Sequence, residues 1–289
     1  MLRSLNYLYI FILFYIALSS CDLTDTDSFD PAFIEVSMPT LTTTLDQGDG
    51  VLKVEEVYVY KGGELLGVFP LPNNVPVIVN QSEDVEITVV AAVRSDGQSS
   101  TSVEYPFFDP IVVNLTLESG KTYKIPLDFK YKSSAKFDVV ADFEGGHIFT
   151  KDLDVFKDVN MVSSSWDAST GLMSGLLKTD LTNLVLECTN NYFFDSQNNA
   201  GGRVFLELDY KTQDQLAIGS IVVTGQEEIK EYKLVLKPSL VWNRVYLDFT
   251  AEISSPNVIG YKIVFNAAYS GGETMENFNF IDNVKLIHF

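Results

Sequence analysis

An all-β protein is predicted, with a smaller antiparallel sandwich followed by a larger β-jelly-roll sandwich. Three observations carry this. Apolar residues recur with a period of two from about Pro31 to the C-terminus, as in Val85, Ile87, Val89, Ala91 and Val93, which is the spacing of strands with one buried face. Turn residues interrupt that pattern about every 8–12 residues, the rhythm of sandwiches and barrels. No stretch of useful length repeats its apolar residues at helical spacing.

Residues 1–20 have the layout of an export signal, with basic Arg3, an apolar run through Leu18, and Ser19-Ser20 ahead of Cys21. The run from Leu5 to Leu18 is shorter than the roughly 20 residues a membrane-spanning helix needs, so cleavage before Cys21 is expected. Leu18-Ser19-Ser20-Cys21 resembles the lipobox of bacterial lipoproteins. That resemblance implies a diacylglycerol thioether on Cys21 and an acylated mature N-terminus, hence a membrane anchor made of lipid. Residues 21–30 (Cys-Asp-Leu-Thr-Asp-Thr-Asp-Ser-Phe-Asp) are too polar to bury and read as an acidic tether. Their alternating aspartates lack the glycine and closing glutamate of an EF-hand loop.

Residues 31–130 form the N-terminal β-sandwich of the prediction, immunoglobulin-like or transthyretin-like. Val57-Tyr58-Val59-Tyr60 and Leu65-Leu66-Gly67-Val68-Phe69 flank Lys61-Gly62-Gly63-Glu64, and paired glycines supply the positive φ of a tight hairpin. The Val85–Val93 strand turns back at Ser95-Asp96-Gly97-Gln98. Ile111, Val113, Leu115 and Leu117 line one face of the next strand, Glu118-Ser119-Gly120-Lys121 turns, and Tyr123 to Phe129 follows. About six strands in roughly 100 residues fit a small sandwich. Residues 131–136 interrupt the pattern with polar and basic side chains and read as a linker. The fragments 31–130 and 136–289 are therefore each expected to fold alone.

Residues 137–289 carry the jelly roll. Its clearest strands are Arg203 to Lys211, Gln215 to Val223, Glu231 to Lys237, Asn243 to Thr250, Gly260 to Ala268 and Phe280 to Phe289. In the first, Val204, Leu206, Leu208 and Tyr210 alternate with Arg203, Glu207, Asp209 and Lys211, which predicts one wet face carrying Phe205. Trp242, beside a strong strand, is expected in the core.

The segments Asp142-Phe143-Glu144-Gly145-Gly146, Pro238 to Leu247 and Phe280-Ile281-Asp282-Asn283-Val284-Lys285-Leu286 resemble a galactose-binding-like jelly roll, a fold shared by many carbohydrate-binding modules. With Val57-Tyr58-Val59-Tyr60 and Tyr105-Pro106-Phe107-Phe108, the chain is similar to uncharacterised two-domain lipoproteins of Bacteroidota. The resemblance implies that Glu144 and Asp282 occupy the two places where such modules hold a structural Ca²⁺, whose hard oxygen ligands such carboxylates would supply. The alternative is that Asp282 caps a turn and Glu144 faces water.

The balance of 20 basic against 39 acidic residues, a net charge of −19, argues against nucleic acid as a partner. Cys188, left over once Cys21 is lipidated, is expected to be a buried small hydrophobe, and no disulfide framework exists. His147 and His288 lie in no metal-ligand spacing, and no Gly-x-Ser-x-Gly occurs. A two-carboxylate glycosidase needs only Asp and Glu, but Asp152, Asp154 and Asp158 read as charges on a solvated strand or turn. No catalytic residue is assigned.

Sugar binding asks for exposed aromatic rings beside hydrogen-bonding neighbours. Tyr192, Phe193 and Phe194, among Asn190, Asn191, Asn198 and Asn199, and Trp166 in Ser163-Ser164-Ser165-Trp166-Asp167 are the candidates. The expectation is a non-catalytic lipoprotein of the outer membrane that binds a glycan or an envelope protein. The alternative is a structural subunit of an envelope secretion, gliding or nutrient-uptake complex.

Overall fold

Glu56–Lys61 and Glu64–Pro70 pair antiparallel. The hairpin between them turns on Gly62 and Gly63, at φ 57° and 85°, the left-handed conformation a tight two-residue turn requires. The computed structural model describes residues 30–97, 102–155, 160–196, 202–271 and 275–289. The leader, Cys21 and the tether before Asp30 lie outside the described residues.

The fold is almost entirely β, and most of its strand pairings are antiparallel. In the N-terminal unit, Ser82–Arg94 pairs with Glu56–Lys61 and with both Ser102–Glu104 and Ile111–Glu118. Opposite lie Asn73–Val77, Ala32–Val36 and Thr122–Ile125, with a two-stranded ribbon of Thr40–Thr42 and Asp128–Lys130. Ile34, Val57, Val59, Ile87, Val89 and Phe129 fill the space between. Two of the pairings are parallel, Ala32–Val36 with Thr122–Ile125 and Thr40–Thr42 with Asp128–Lys130. A period of two marks a strand's faces but not its direction. The strand expected from Tyr123 to Phe129 is divided around Pro126, which has no N–H for a ladder.

The C-terminal unit is a sandwich of two antiparallel sheets. The front sheet runs Val162–Ser164, Ser174–Asp180, Glu276–His288, Val204–Thr212, Ser239–Asp248, and Lys136–Ala141 also pairs with Glu276–His288. The back sheet runs Lys151–Asp152, Val185–Thr189, Val258–Ala268, Leu216–Thr224, Glu228–Leu236, and Phe194–Asp195 pairs with Val258–Ala268. The chain shuttles between sheets, from Val204–Thr212 in front to Leu216–Thr224 behind and from Ser239–Asp248 to Val258–Ala268. This is how a jelly roll buries both inner faces at once. Leu206, Leu208, Ile218, Ile263, Phe265, Ile281 and Leu286 form that core, and Cys188 is buried within it with its thiol pKa pushed up by burial.

Two expectations about the junction need correction. The segment around residues 131–136 is not wholly solvated: Tyr131 is 5% exposed, bridges to Phe108 and stacks edge-on against Phe137 at 5.0 Å. Nor is the Arg203–Lys211 face wet along its length. Phe205, Glu207 and Asp209 are buried, because N-terminal aromatics sit on that face. Tyr105 meets Phe205 at 5.5 Å and Tyr246 at 5.3 Å, and Phe107 meets Phe289 at 4.6 Å. Phe205, Tyr246 and Ile287 thus belong to the same core cluster as the N-terminal strands. Alternation located the polar face correctly, but it carries no information on what lies against it.

Candidate ligand-binding face

The outer face of the front sheet is built by residues that alternate with the core. On Glu276–His288, Phe278 and Phe280 alternate with inward Ile281; on Ser239–Asp248, Trp242, Arg244 and Tyr246 alternate with inward Val245 and Leu247. The N-terminal unit covers one end of this face. There Glu207 accepts hydrogen bonds from Tyr105 Oη, from Tyr131 Oη at 2.9 Å and from Arg244 Nη2 at 2.6 Å, while Arg244 Nη1 donates to Asp209 at 2.8 Å. Lys285 Nζ donates to the Asp49 carbonyl at 2.7 Å, tying the two units together.

The other end carries aromatic rings. Trp166 is 66% exposed and meets Phe278 edge-on at 5.2 Å; Trp242, half-buried, lies 6.4 Å from Phe280. Asp167 links the two indoles, since it follows Trp166 in sequence and accepts from Trp242 Nε1 at 2.9 Å and from Lys211 Nζ at 2.5 Å. Burial pushes the Asp167 carboxyl up, and those bonds outweigh it, holding the carboxyl below its ordinary range. Lys178 Nζ stands 5.9 Å from the centre of the Phe278 ring and pairs with Glu276 at 2.7 Å. The expectation that Trp242 is core is corrected: its strand position points it to the outer face.

Glu144 and Asp282 hold the loop that presents Trp166. Asp282 Oδ2 accepts from Ser169 N at 2.9 Å and Thr170 N at 3.3 Å. Glu144 Oε1 accepts from Leu172 N at 2.5 Å and Met173 N at 2.8 Å. Gly171 is left-handed, and a Cβ there would lie 2.4 Å from Glu144 Oε1, so a larger residue would be strained and would displace that carboxylate. Both carboxylates expected to hold Ca²⁺ thus accept from backbone N–H donors of this loop. Among the described residues no group of three or more His, Cys, Asp or Glu is placed to hold a metal.

Burial pushes the Asp282 carboxyl up to about 7 from an ordinary 3.8, and burial pushes Lys285 down to about 8 from 10.5. The two act with opposite sign. Between about pH 4 and 7 the folded chain binds the extra proton, so raising the pH favours unfolding; between about 8 and 10 the unfolded chain binds it, so stability recovers. The urea midpoint is expected to fall from pH 5 to pH 7.5 in the wild type and to fall less in Asp282→Asn. An equal fall in both would assign the effect to other groups.

The aromatic loop of the sequence analysis lies elsewhere. Phe194 is core, packed 5.5 Å from Tyr261 of the back sheet, and Tyr192 leans on it at 5.4 Å. Phe193 is partly exposed but lies against Gly260, where a Cβ would be 2.1 Å from its ring. Asn190 is buried and accepts from Ile263 N, and Asn191 donates to Thr150 Oγ1; Asn198 and Asn199 fall outside the described residues. Trp166 and Tyr192 therefore lie in loops that adjoin different sheets. Asp152 and Asp154 accept from the N–H groups of Asp154 and Glu187, and Asp158 lies outside the described residues. Phe278 joins the face without being singled out in the sequence, and Lys211 was named there only as a polar residue of its strand; the signal was Phe278-x-Phe280 and Trp242-x-Arg244, on the two strands that flank Val204–Thr212.

No protein-family model matches the chain, and no curated protein does. Among solved structures it is similar to the C-terminal family 22 carbohydrate-binding module of a Clostridium thermocellum protein, at 12% identity over 54% of this chain and 96% of that one, with a TM-score of 0.39. It is similar also to a family 30 carbohydrate-binding module of a C. thermocellum cellulosomal cellulase, at 14% identity over 51% and 95%, TM-score 0.38. A third is a carbohydrate-binding module of the β-sandwich superfamily, at 9% identity over 81% and 85%, TM-score 0.39. Likenesses this distant carry no statement about what this chain binds.

Proposed function

We propose that this is a non-catalytic, lipid-anchored protein of the bacterial outer membrane that holds a glycan on the open end of its front sheet. The observation behind the reading is the pair of partly exposed indoles, Trp166 and Trp242, joined through Asp167 and flanked by Lys178 and Lys211. A pyranose has an apolar C–H face and a ring of hydroxyls, and this strip offers both complements. Phe278 and Phe280 behind the indoles are two residues apart on one strand, which spaces the two aromatic stations by about 7 Å. The anchor follows from the lipobox-like Leu18-Ser19-Ser20-Cys21, and no Ca²⁺ is needed by the reading, because Glu144 and Asp282 position the Trp166 loop themselves.

A glycan array screened with the mature chain, followed by isothermal titration of a hit, tests the site. Trp166→Ala and Trp242→Ala are each expected to weaken binding roughly thirtyfold, about 2 kcal/mol, while Tyr192→Ala leaves it unchanged. Wild-type affinity in both tryptophan variants would overturn the assignment. An array without hits would favour the subunit of an envelope complex.

A further inference from the structure

Ile111–Glu118 lies at the edge of the larger N-terminal sheet and pairs on one side only, with Ser82–Arg94. An open edge is a template for another strand, and proteins blunt such edges with charge, proline, bulges or brevity. Other long edges here are blunted. Glu64–Pro70 carries a bulge and Pro70, Asn73–Val77 carries Pro76, and Glu228–Leu236 carries Glu228, Lys230, Glu231, Lys233 and a bulge. Ser239–Asp248 is bridged at Leu247 by Asp96. Residues 111–117, Ile-Val-Val-Asn-Leu-Thr-Leu, hold no charge, proline or glycine, and their register is unbroken.

The hydrogen-bonding phase of the strand is fixed. Ser119 N donates to the Gln81 carbonyl at 3.0 Å in the same register, so the odd-numbered residues bond to Ser82–Arg94 and Val112, Asn114 and Thr116 aim their N–H and C=O groups outward. A second copy of the strand, related by a two-fold axis at Asn114, would oppose the whole of 111–117. On the inner face Ile111 would then meet Leu117 and Val113 would meet Leu115, apolar against apolar. On the outer face Val112 would meet Thr116, both β-branched, and Asn114 would meet its own copy; like-natured pairs of this kind stabilise a ladder. The seam also ends cleanly, since Pro110 has no N–H and Glu118 N is already given to Tyr123 Oη at 3.0 Å. Ile111, Val113 and Leu115 are only partly buried in one copy, so pairing would remove further apolar surface from water. The acidic segment before Asp30, whose carbonyl accepts from Ser119 Oγ at 2.6 Å at this end of the strand, would set aspartates against these apolar positions and matches them poorly.

We propose that this edge joins two copies of the chain, through antiparallel pairing of residues 111–117 about Asn114, into one continuous sheet. The seam uses neither the indoles of the front sheet nor the lipid anchor.

Sedimentation of the unlipidated mature chain over a wide range of concentration tests the proposal. The wild type is expected to dimerise reversibly. Asn114→Lys and Asn114→Glu each set like charges directly opposite one another and are expected to weaken the dimer about tenfold or more. An equimolar mixture of the two variants should recover most of the lost affinity, because Lys then opposes Glu, and the register centred on Asn114 is what makes that recovery possible. Asn114 is exposed, which keeps its variants folded, and unchanged melting temperatures verify this. Trp166→Ala is expected to leave association unchanged, so failure of the glycan strip and failure of the seam read out separately. A monomer at every concentration overturns the proposal and leaves the edge to a strand of another protein. A dimer that Asn114→Lys does not weaken, or that mixing the two variants does not restore, overturns it as well.

Discussion

Glu207→Ala is expected to lower folding stability by about 3–5 kcal/mol, the usual penalty for breaking a buried ion pair from one side. Glu207 is wholly buried between the two units. Its removal leaves the phenols of Tyr105 and Tyr131 without their acceptor and leaves Arg244 with Asp209 alone. Burial pushes the Glu207 carboxyl up, but the Arg244 and Lys285 charges and the Tyr105 hydroxyl outweigh it, and its pKa lies below the ordinary value. The sign of the linkage follows. The contribution is complete above the unfolded value of about 4.5 and is lost as the pH falls through the folded one. The measurement is a urea midpoint at pH 7.5 with the slope unchanged. Glu207→Gln, which keeps the shape and one acceptor, should fall between, and Glu231→Ala on an exposed edge should change stability by less than about 0.5 kcal/mol. A loss below about 1 kcal/mol in Glu207→Ala would mean that water or a rearranged Asp209 replaces the carboxylate at little cost.

That network also shows where sequence reasoning stops. Strands were legible because one side of each meets a core, so Val204, Leu206 and Leu208 announced themselves against Glu207 and Asp209. Turns were legible where the backbone needs glycine, as at Gly62, Gly63 and Gly120. What was not legible was the partner of a polar face. Glu207 and Asp209 read as solvated because an isolated strand gives no sign that Tyr105, Tyr131 and Arg244 arrive from distant segments to satisfy them. The same limit misplaced the aromatics. Phe194 and Trp242 have similar compositional claims to be platform or core, and only the register of their strands separates them: Phe194 pairs with Tyr261 and faces inward, whereas Trp242 falls on the outer phase of Ser239–Asp248. Glu144 and Asp282 were singled out as Ca²⁺ ligands on a resemblance, whereas the bonds they make run to the loop between residues 169 and 173, which no spacing rule connects to them.

The whole mature chain should melt in one cooperative transition, and the isolated fragment 136–289 should not reproduce its stability. Sequence alone favours separable units, because the residues between them look polar. The structure places Phe205, Tyr246 and Ile287 in a core whose other half is N-terminal, and separation would expose all three to water. Side chains of this size contribute about 1.5–3 kcal/mol each when fully buried, so their sum is comparable with the roughly 5–15 kcal/mol that stabilises a typical domain. The separated fragment would in addition leave Glu207, Arg244 and Lys285 without Tyr105, Tyr131 and the Asp49 carbonyl. Calorimetry of the chain should give agreeing calorimetric and van't Hoff enthalpies. Fragment 136–289 should bind a hydrophobic dye and melt at a lower temperature, or without a cooperative transition. If it melts where the intact protein does, the junction is a docked contact of little energetic weight, and the N-terminal unit is free to leave the front sheet and uncover the rest of its outer face.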